Sequence, residues 1–421
     1  MVIKLILLVV FFAVMVTVGI YSRKHATSVD GYVLGGRSVG PWLTAFAYGT
    51  SYFSAVVFVG YAGQFGWKYG LASTWIGLGN AIIGSLLAWV VLGRRTKVMT
   101  QHLNSKTMPD FFGERFDSKA LKITASAIVF IFLVPYTASV YNGLSRLFGM
   151  AFDIPYTVCV VVMAIFTGIY VIMGGYMATA INDFIQGIIM LGGIVAVIAA
   201  VLSGQGGFIQ AIRQMAEIPS DVAVTAGQPG AFTSFFGPDP LNLLGVVILT
   251  SLGTWGLPQM IGKFYAIKDE KAINTGTVIS TLFAVVISGG CYFLGGFGRL
   301  FDNPSIYDAE TGAVVYDSII PYMLSTLPDI LIGIVVVLVL SASMSTLASL
   351  VLTSSSTLTL DFLKDNVMKN MGEKKQVRTM QVLVVFFIVL SVVIAMDPPT
   401  FIAQLMGISW GALAGAFLAP F

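Results

Sequence analysis

Long apolar stretches recur along the whole chain and are separated by short polar connections. A helix needs about 20 consecutive apolar residues to cross the roughly 30 Å of hydrocarbon in a bilayer, and eleven stretches have about that length. They cover residues 3–20, 41–65, 71–93, 123–147, 156–173, 178–202, 241–266, 274–297, 330–360, 377–396 and 400–421. This pattern predicts an all-α polytopic membrane protein.

Composition agrees with that pattern and narrows the class of protein. Only 10% of the 421 residues are charged and 57% are hydrophobic, whereas soluble domains are about 25% charged. The two cysteines fall inside apolar stretches and the two histidines in connections, which offers no cluster for zinc, haem or an iron–sulfur centre. The first stretch lacks a small-residue cleavage site, and we interpret it as a retained helix.

Basic residues are concentrated in alternate connections between the apolar stretches. Most of the 23 lysines and arginines lie in residues 23–37, 94–122, 263–271 and 364–378. The positive-inside rule assigns these connections to the cytoplasm and the N-terminus to the outside of a plasma (inner) membrane. This assignment counts Lys263, near the end of the stretch 241–266, with an inner connection, and we expect no lysine or arginine inside the membrane. The net charge of +3 then reflects topology and says nothing about nucleic acid. We expect the lipid bilayer as a partner and no nucleic acid.

Residues 41–66 are apolar enough to span the membrane, yet their centre carries glycine and hydroxyl side chains. The central positions are Gly49, Thr50, Ser51, Tyr52 and Ser54. A break in a membrane helix is tolerated only where it faces protein or a water-lined cavity. We therefore expect a helix that is broken at a binding site, although small residues also occur where membrane helices pack closely.

A second interrupted span lies at the corresponding place in the other half of the chain. Residues 249–262, LTSLGTWGLPQMIG, contain Gly253, Gly256 and Pro258, and proline disrupts a helix interior. Two interrupted spans in corresponding positions are the sequence sign of an inverted-repeat transporter. We expect an extra N-terminal helix at 3–20, a first five-helix repeat at 41–202 and a second at 241–421, all in one transmembrane domain.

Polar side chains inside two other spans indicate an ion site. Asp183 lies within an apolar run. A carboxylate there costs at least about 3 kcal/mol, and such residues by default mark ion pathways or coupling sites. In the eighth repeat span, hydroxyl residues recur at steps of three and four and share one helix face; oxygen ligands of this kind suit a small cation. Two alternatives to an ion site remain. Asp183 can lie at a helix end in contact with water, and the serines can serve only in helix packing.

Four motifs resemble those of the sodium:solute symporter family. They are GGRSVGPW at 35–42, GTSYFSAVVFVGYAG at 49–63, YVIMGGYMATAINDFIQ at 170–186, and MSTL at 344–347 with TSSSTLTLDFLK at 353–364. The resemblance covers essentially the whole chain and implies an extra N-terminal helix before a five-plus-five inverted repeat. It also implies two or three helices beyond Phe421, so we expect the chain to be the front part of a longer protein.

The resemblance also implies where sodium binds. The principal site would use the backbone carbonyls of Thr50, Phe53 and Ala342 and the hydroxyls of Ser345 and Thr346. Asp183 matches a carboxylate that helps to couple sodium and in some members completes a second sodium site with hydroxyls one turn further along the eighth span. This chain offers Ala348 and Ser349 there, so we expect no second tightly bound sodium.

Tyr52 departs from the proline-type members of the family, which have an aspartate at that position. Pantothenate-type members have a tyrosine there and share the sequence KYGL, found here at 68–71. The motifs favour pantothenate- or proline-type members over sugar-type members. Tyr52 slightly disfavours proline as the substrate.

We therefore expect a secondary active transporter that uses the sodium gradient to import a small organic solute. Half-helix N-termini suit a carboxylate, which favours pantothenate, an amino acid, a monocarboxylate or a sialic acid over a sugar. Candidate substrate-binding residues line the two broken spans and the third repeat span: Ser51, Tyr52, Ser54, Tyr136, Trp255 and Gln259.

Three other functions compete with this prediction. A channel needs rings of carbonyls or carboxylates around a pore, and a membrane enzyme needs a nucleophile, a base and an orienting group; the spans offer neither pattern. A symporter-like membrane part of a signalling sensor fits the same spans and remains the alternative.

Overall fold

The computed structural model describes residues 2–152, 154–397 and 401–420. These residues are nearly all helical, and two isolated bridges are their only β-type pairing. The α-helices are α1 (Val2–Ser22), α2 (Val29–Leu34), α3 (Pro41–Tyr52), α4 (Ala62–Tyr69), α5 (Thr74–Gly79), α6 (Arg94–His102), α7 (Met108–Arg115), α8 (Lys119–Phe152), α9 (Tyr156–Gly204), α10 (Phe208–Glu217), α11 (Pro240–Leu252), α12 (Pro258–Ala266), α13 (Glu270–Gly295), α14 (Tyr316–Ser325), α15 (Asp329–Thr357), α16 (Glu373–Met396) and α17 (Ile402–Phe417).

Short stretches of π-helix connect several of these helices into longer rods. They are Val56–Tyr61 before α4, Asn80–Leu87 and Trp89–Gly93 between α5 and α6, and Leu358–Val367 after α15. Such stretches are rare and occur often at functional sites. The first precedes α4 at the predicted helix break, and the last extends the hydroxyl-rich span.

Seven helices in the described residues are long and apolar enough to cross a membrane, and α11 with α12 forms an eighth, bent by 50°. Helix α17 is apolar but shorter, with 16 residues. The last predicted span began at Thr400 and ended at Phe421, and these two residues lie outside the described part. The remaining predicted stretches correspond to observed helices or helical rods.

Helix α9 contains two of the predicted spans. Its 49 residues would be about 70 Å long as a straight helix, more than twice the thickness of the hydrocarbon. The run is interrupted at Gly175, where φ is 53° and ψ is −145°. Glycine adopts this conformation without steric cost, so the predicted stretches 156–173 and 178–202 are two separate helices.

Helix α15 lies at the centre of the bundle. It packs against α1, α3, α8, α9 and α16, and 78% of its apolar window is buried by protein. Because so little of this helix faces lipid, its serines and threonines are enclosed by other helices.

The first predicted break occurs immediately after Tyr52. Phe53 has extended dihedral angles (φ −107°, ψ 96°), and Ser54 lies outside any helix. The Ser54 hydroxyl accepts a hydrogen bond from the Val56 N–H at 3.2 Å, which satisfies one of the free donors where the helix restarts. The glycine and hydroxyl residues in the sequence therefore mark a true interruption.

The second predicted break separates α11 from α12. A 3-10 turn at Gly253–Gly256 follows α11, Leu257 is extended, and Pro258 begins α12. Proline suits the first helical position because it has no N–H to leave unpaired. Both breaks predicted from glycine and proline are confirmed.

Candidate functional site

The break after α3 lies against the middle of α15, and oxygen atoms from both helices meet there. The Thr50 carbonyl accepts hydrogen bonds from Ser345 Oγ and from Thr346 Oγ1, each at 3.1 Å. The same two hydroxyls also lie 3.0 and 3.1 Å from the Ala342 carbonyl. The four residues are buried, so four of the five predicted sodium ligands form one compact oxygen cluster.

Local structure explains why the Thr50 carbonyl faces across to α15. In a continuous helix it would bond to the N–H of the residue four positions later, Ser54. Because α3 ends at Tyr52, this carbonyl is turned to the α15 hydroxyls instead. Phe53, the fifth predicted ligand residue, is buried and lies at the break itself. The cluster offers hard, uncharged oxygens, which are the ligands that a small monovalent cation prefers.

A lysine lies inside the helix bundle, and this corrects the sequence-based placement of Lys263 in a connection. Lys263 was assigned to an inner connection, with no basic residue in any span. It lies on α12, and its side chain is 3% exposed. Its Nζ is 3.0 Å from Ser349 Oγ and 3.8 Å from Asp183 Oδ2. Lys263 follows Gln259 by four residues, so its position on the same helix face was the signal in the sequence.

Asp183 is fully buried, as its place in an apolar run predicted. Neither of its carboxylate oxygens has a hydrogen-bond partner among the described residues. The ammonium of Lys263 lies within 4 Å of Asp183 Oδ2. The alternative of a helix-end aspartate in contact with water is therefore wrong.

A continuous polar chain connects this pair with the first broken helix. Ser349 Oγ lies 2.8 Å from Ser51 Oγ and also contacts the ammonium of Lys263. Helices α3, α15, α12 and α9 each contribute one residue to the chain. A cavity of about 40 Å³ adjoins it and is lined by Lys263, Gln259, Ser349 and other residues.

Three aromatic side chains form a second cluster beside the break. The Tyr52 ring centroid lies 5.9 Å from that of Trp410, and Tyr136 is 6.0 Å from Trp410 in an edge-to-face arrangement. All three are at most 1% exposed. The Tyr52 hydroxyl donates to the Thr250 carbonyl at 2.7 Å. The Tyr136 hydroxyl and Trp410 Nε1 have no hydrogen-bond partner within the described residues.

The predicted substrate residues thus divide into separate groups. Tyr52 and Tyr136 meet in the aromatic cluster, while Ser51 and Gln259 lie near Lys263. Ser54 caps the helix restart, and Trp255 Nε1 donates to the Ile83 carbonyl at 3.0 Å. Sequence reasoning missed Trp410, because a single tryptophan in an apolar span carries no distinctive pattern.

A buried carboxylate lies on the connection between α13 and α15. Asp317 on α14 accepts a hydrogen bond from the Ile402 N–H at 3.1 Å, at the start of α17, and lies 3.9 Å from Arg146 Nε. Burial raises the pKa of Asp317 above its ordinary value, while that hydrogen bond and Arg146 act in the opposite direction. The contact joins α14 to the helix that carries Trp410.

Comparison of the sequence with known proteins gives a consistent set of relatives. The model of the sodium:solute symporter family matches residues 32–421. A sodium/proline symporter of Staphylococcus aureus (strain JH9) is 31% identical over 429 residues, covering 98% of this chain and 79% of the relative. The osmoregulated proline transporter OpuE of Bacillus subtilis (strain 168) is 27% identical over 414 residues, covering 97% and 80%.

Solved structures share the fold. A sodium-coupled sialic acid symporter in a substrate-bound, outward-open state matches with a TM-score of 0.80 and 18% identity, covering 99% of this chain and 86% of that one. MHP1, a nucleobase-cation-symport-1 family transporter in a closed conformation, matches with a TM-score of 0.54 and 11% identity, covering 92% and 78%. The arrangement of helices is therefore that of cation-coupled symporters.

Proposed function

Because the chain belongs to the sodium:solute symporter family, it is a sodium-coupled symporter of a small solute, and we propose that this solute is a compact amino acid such as proline. The chain is a transporter and not an enzyme, since its curated relatives are transporters over almost its whole length. The same relatives favour transport over the sensor alternative. It is an integral, multi-pass membrane protein.

The oxygen cluster between α3 and α15 is the observation that supports the proposed sodium site. We assign as ligands the carbonyls of Thr50, Phe53 and Ala342 and the hydroxyls of Ser345 and Thr346. Four of these residues already lie within hydrogen-bonding distance of one another. A sodium ion replaces these hydroxyl-to-carbonyl hydrogen bonds with oxygen-to-cation contacts and thereby joins the broken helix to α15.

Coupling follows from the position of the aromatic cluster beside the same break. Phe53 stacks on Tyr52 with ring centroids 4.3 Å apart, so a sodium ion held by the Phe53 carbonyl fixes the backbone that carries Tyr52. A solute against Tyr52 and a sodium ion at Phe53 then each raise the affinity for the other by the same factor. This is the thermodynamic requirement for symport.

The aromatic cluster also supports a compact solute with a polar end. Tyr52, Tyr136 and Trp410 present apolar ring surfaces that suit a small aliphatic ring. The unpaired Tyr136 hydroxyl and Trp410 N–H supply two donors for a carboxylate. The names of the two relatives, both proline transporters, agree with this chemistry, even though Tyr52 replaces the aspartate of proline-type members.

We place the protein in the plasma (inner) membrane with its N-terminus outside. Lys4 near the start of α1 forms an ion pair with Asp329 at the start of α15 at 2.9 Å. Both residues belong to the side that the charge pattern assigns to the exterior. The lipid bilayer and the transported solute are the partners that this function requires.

The proposal is tested by thermal unfolding of the purified protein in sodium, with potassium as the control cation. A ligand that binds only the folded state stabilises it by about 2.7 kcal/mol at a hundredfold excess over Kd. We expect sodium-specific stabilisation in the wild type, its loss in Ser345→Ala/Thr346→Ala, and a further increase when proline is added with sodium.

Ser343→Ala is the matched control, because Ser343 is buried on the same helix and lies outside the oxygen cluster. It is expected to retain the sodium effect. A wild type that responds equally to potassium and sodium would contradict the sodium site. A sodium response without any response to proline would contradict only the proposed substrate.

A further inference from the structure

The ammonium of Lys263 occupies a site built from a carboxylate and hydroxyl groups. Ser349 Oγ accepts from it at 3.0 Å, Asp183 Oδ2 lies at 3.8 Å, and the Tyr176 ring centroid lies at 5.2 Å. A cation is attracted both to a carboxylate and to the face of an aromatic ring. Residues of α9 and α15 therefore hold this ammonium, and its own helix, α12, carries it to them.

Without the Lys263 ammonium, the same groups would form a suitable site for a small metal cation. Asp183 offers two carboxylate oxygens with no hydrogen-bond partner among the described residues, and Ser349 and Ser51 offer adjoining hydroxyls 2.8 Å apart. Carboxylate and hydroxyl oxygens are hard ligands. The family resemblance pointed to the same two residues as a possible coupling or second sodium site, and Ala348 beside Ser349 was the reason to expect no second tightly bound sodium there.

Charge decides which cation the site holds. The pair is almost completely buried, with side chains 3% and 0% exposed, so water screens neither charge effectively. One buried carboxylate balances one cation. A sodium ion beside the Lys263 ammonium would place two positive charges against a single negative one at short range, which is strongly unfavourable in a buried environment.

We propose that the Lys263 side chain is the permanent cation of the Asp183 site, so that this transporter binds a single sodium ion, at the cluster between α3 and α15. Lys263 takes the charge role of a second sodium but remains covalently attached to α12. Ser349 and Ser51 connect it with the first broken helix. The position of α12 therefore depends on that of α3 in every conformation that keeps these polar contacts. This inference rests on the proposed sodium symport.

The experiment counts sodium ions by two independent measurements on the full chain. The increase in unfolding free energy with the logarithm of sodium concentration, above saturation, is proportional to the number of ions bound. Radioactive sodium bound per transporter gives the same number directly. The wild type is expected to bind one ion by both measurements.

Lys263→Ala removes the ammonium and leaves space beside Asp183 and Ser349. We expect the slope against the logarithm of sodium concentration to double, because a second ion enters the vacated site. Lys263→Ala/Asp183→Asn removes the carboxylate as well and is expected to return the slope to the wild-type value. Lys268→Ala is the matched control: Lys268 lies 3.8 Å from Asp269, but both side chains are 50% exposed, so the count stays at one.

Two results would overturn the inference without affecting the sodium symport itself. One is a folded Lys263→Ala protein that still binds one sodium. The other is a wild type that binds two ions and loses one in Asp183→Asn; this comparison needs no change at Lys263 and holds if Lys263→Ala does not fold. A wild type without sodium-specific binding would instead overturn the proposed function.

Discussion

Hydroxyl side chains at the α3–α15 contact have two uses, as hydrogen-bond donors and as cation ligands. A serine or threonine hydroxyl has one donor and two acceptor lone pairs. In the structure, Ser345 and Thr346 direct their donors at the carbonyls of Thr50 and Ala342. A bound cation requires each hydroxyl to turn a lone pair towards it, and each hydroxyl keeps its one donor. The two arrangements explain how the same residues hold the helices together with and without sodium.

A single buried carboxyl should make stability depend on pH. Asp317 has a pKa above its ordinary value because burial disfavours its charged form. Folding therefore costs more while Asp317 is ionised, and this cost disappears as the pH falls through the raised pKa. We expect the wild type to gain stability relative to Asp317→Asn as the pH falls from 7 through the raised pKa towards the ordinary aspartate value of about 4.

This expectation is checked by the difference in unfolding temperature between the two proteins across that pH range. Asp308→Asn serves as the control, because Asp308 is fully exposed and its pKa is lowered by hydrogen bonds from Thr311. The difference in unfolding temperature between Asp308→Asn and the wild type should not change with pH in the direction predicted for Asp317→Asn. A constant difference between wild type and Asp317→Asn would contradict a raised pKa.

At the scale of elements, interruptions in helices carry the architecture. The breaks at Phe53 and Leu257 turn backbone groups towards the interior, and the interruption at Gly175 separates two spans. Each interruption has a local cause in glycine, serine or proline. Their positions also determine which side chains reach the centre, because α12 begins at the second break and carries Lys263 inward.

Gly175→Ala is expected to destabilise the protein. An alanine Cβ at this position would lie 2.7 Å from the Tyr32 carbonyl oxygen, and φ is +53° with ψ at −145°. A non-glycine residue in such a sparsely populated conformation costs about 1–3 kcal/mol. The expected result is a lower unfolding temperature of the purified protein.

Gly192→Ala on the same helix is the matched control. A Cβ there meets no described atom within 4 Å, and the residue is helical. Alanine is favoured over glycine in a helix by up to about 1 kcal/mol, so this variant should be as stable as the wild type or more so. Equal destabilisation by both substitutions would show that space around α9 matters more than the backbone angle.

At the scale of the whole molecule, ionic contacts join distant parts of the chain at the side predicted to be cytoplasmic. Lys122 on α8 lies 2.8 Å from Asp110 on α7 and 2.8 Å from Asp365 beyond α15. Asp361 accepts from Thr107 at 2.7 Å and lies 3.9 Å from the same lysine. One lysine is therefore shared by three carboxylates and connects the long inner loop with the end of the central helix.

Lys122→Met should destabilise this end of the molecule by roughly 1–3 kcal/mol, because removing the shared cation leaves the buried Asp361 close to the partly buried Asp110 and Asp365. The measurement is the unfolding temperature at low and high salt, with the loss expected to be smaller at high salt. Lys119→Met is the control, since Lys119 is exposed one turn away. A loss equal to that of Lys119→Met would contradict the role of Lys122.

The sequence alone was sufficient for the fold class and the family, and the resemblance to that family named the four residues that meet in the oxygen cluster. Apolar stretches of about 20 residues require membrane helices, and glycine, serine and proline within them place both breaks, since these residues act locally. The hydroxyl pattern of α15 follows from helical periodicity. These features depend on neighbours in the chain and are visible without a structure.

Only the tertiary structure decided which polar groups meet. The ion pair of Lys263 with Asp183 joins residues 80 positions apart, and Trp410 reaches Tyr52 from the last described helix. The charge count placed Lys263 in a connection because it precedes Lys268 and Lys271 at the end of a span. Whether Lys263 faces water or the protein interior depends on the direction in which the second break turns α12. That direction is determined by packing of α12 against the other helices.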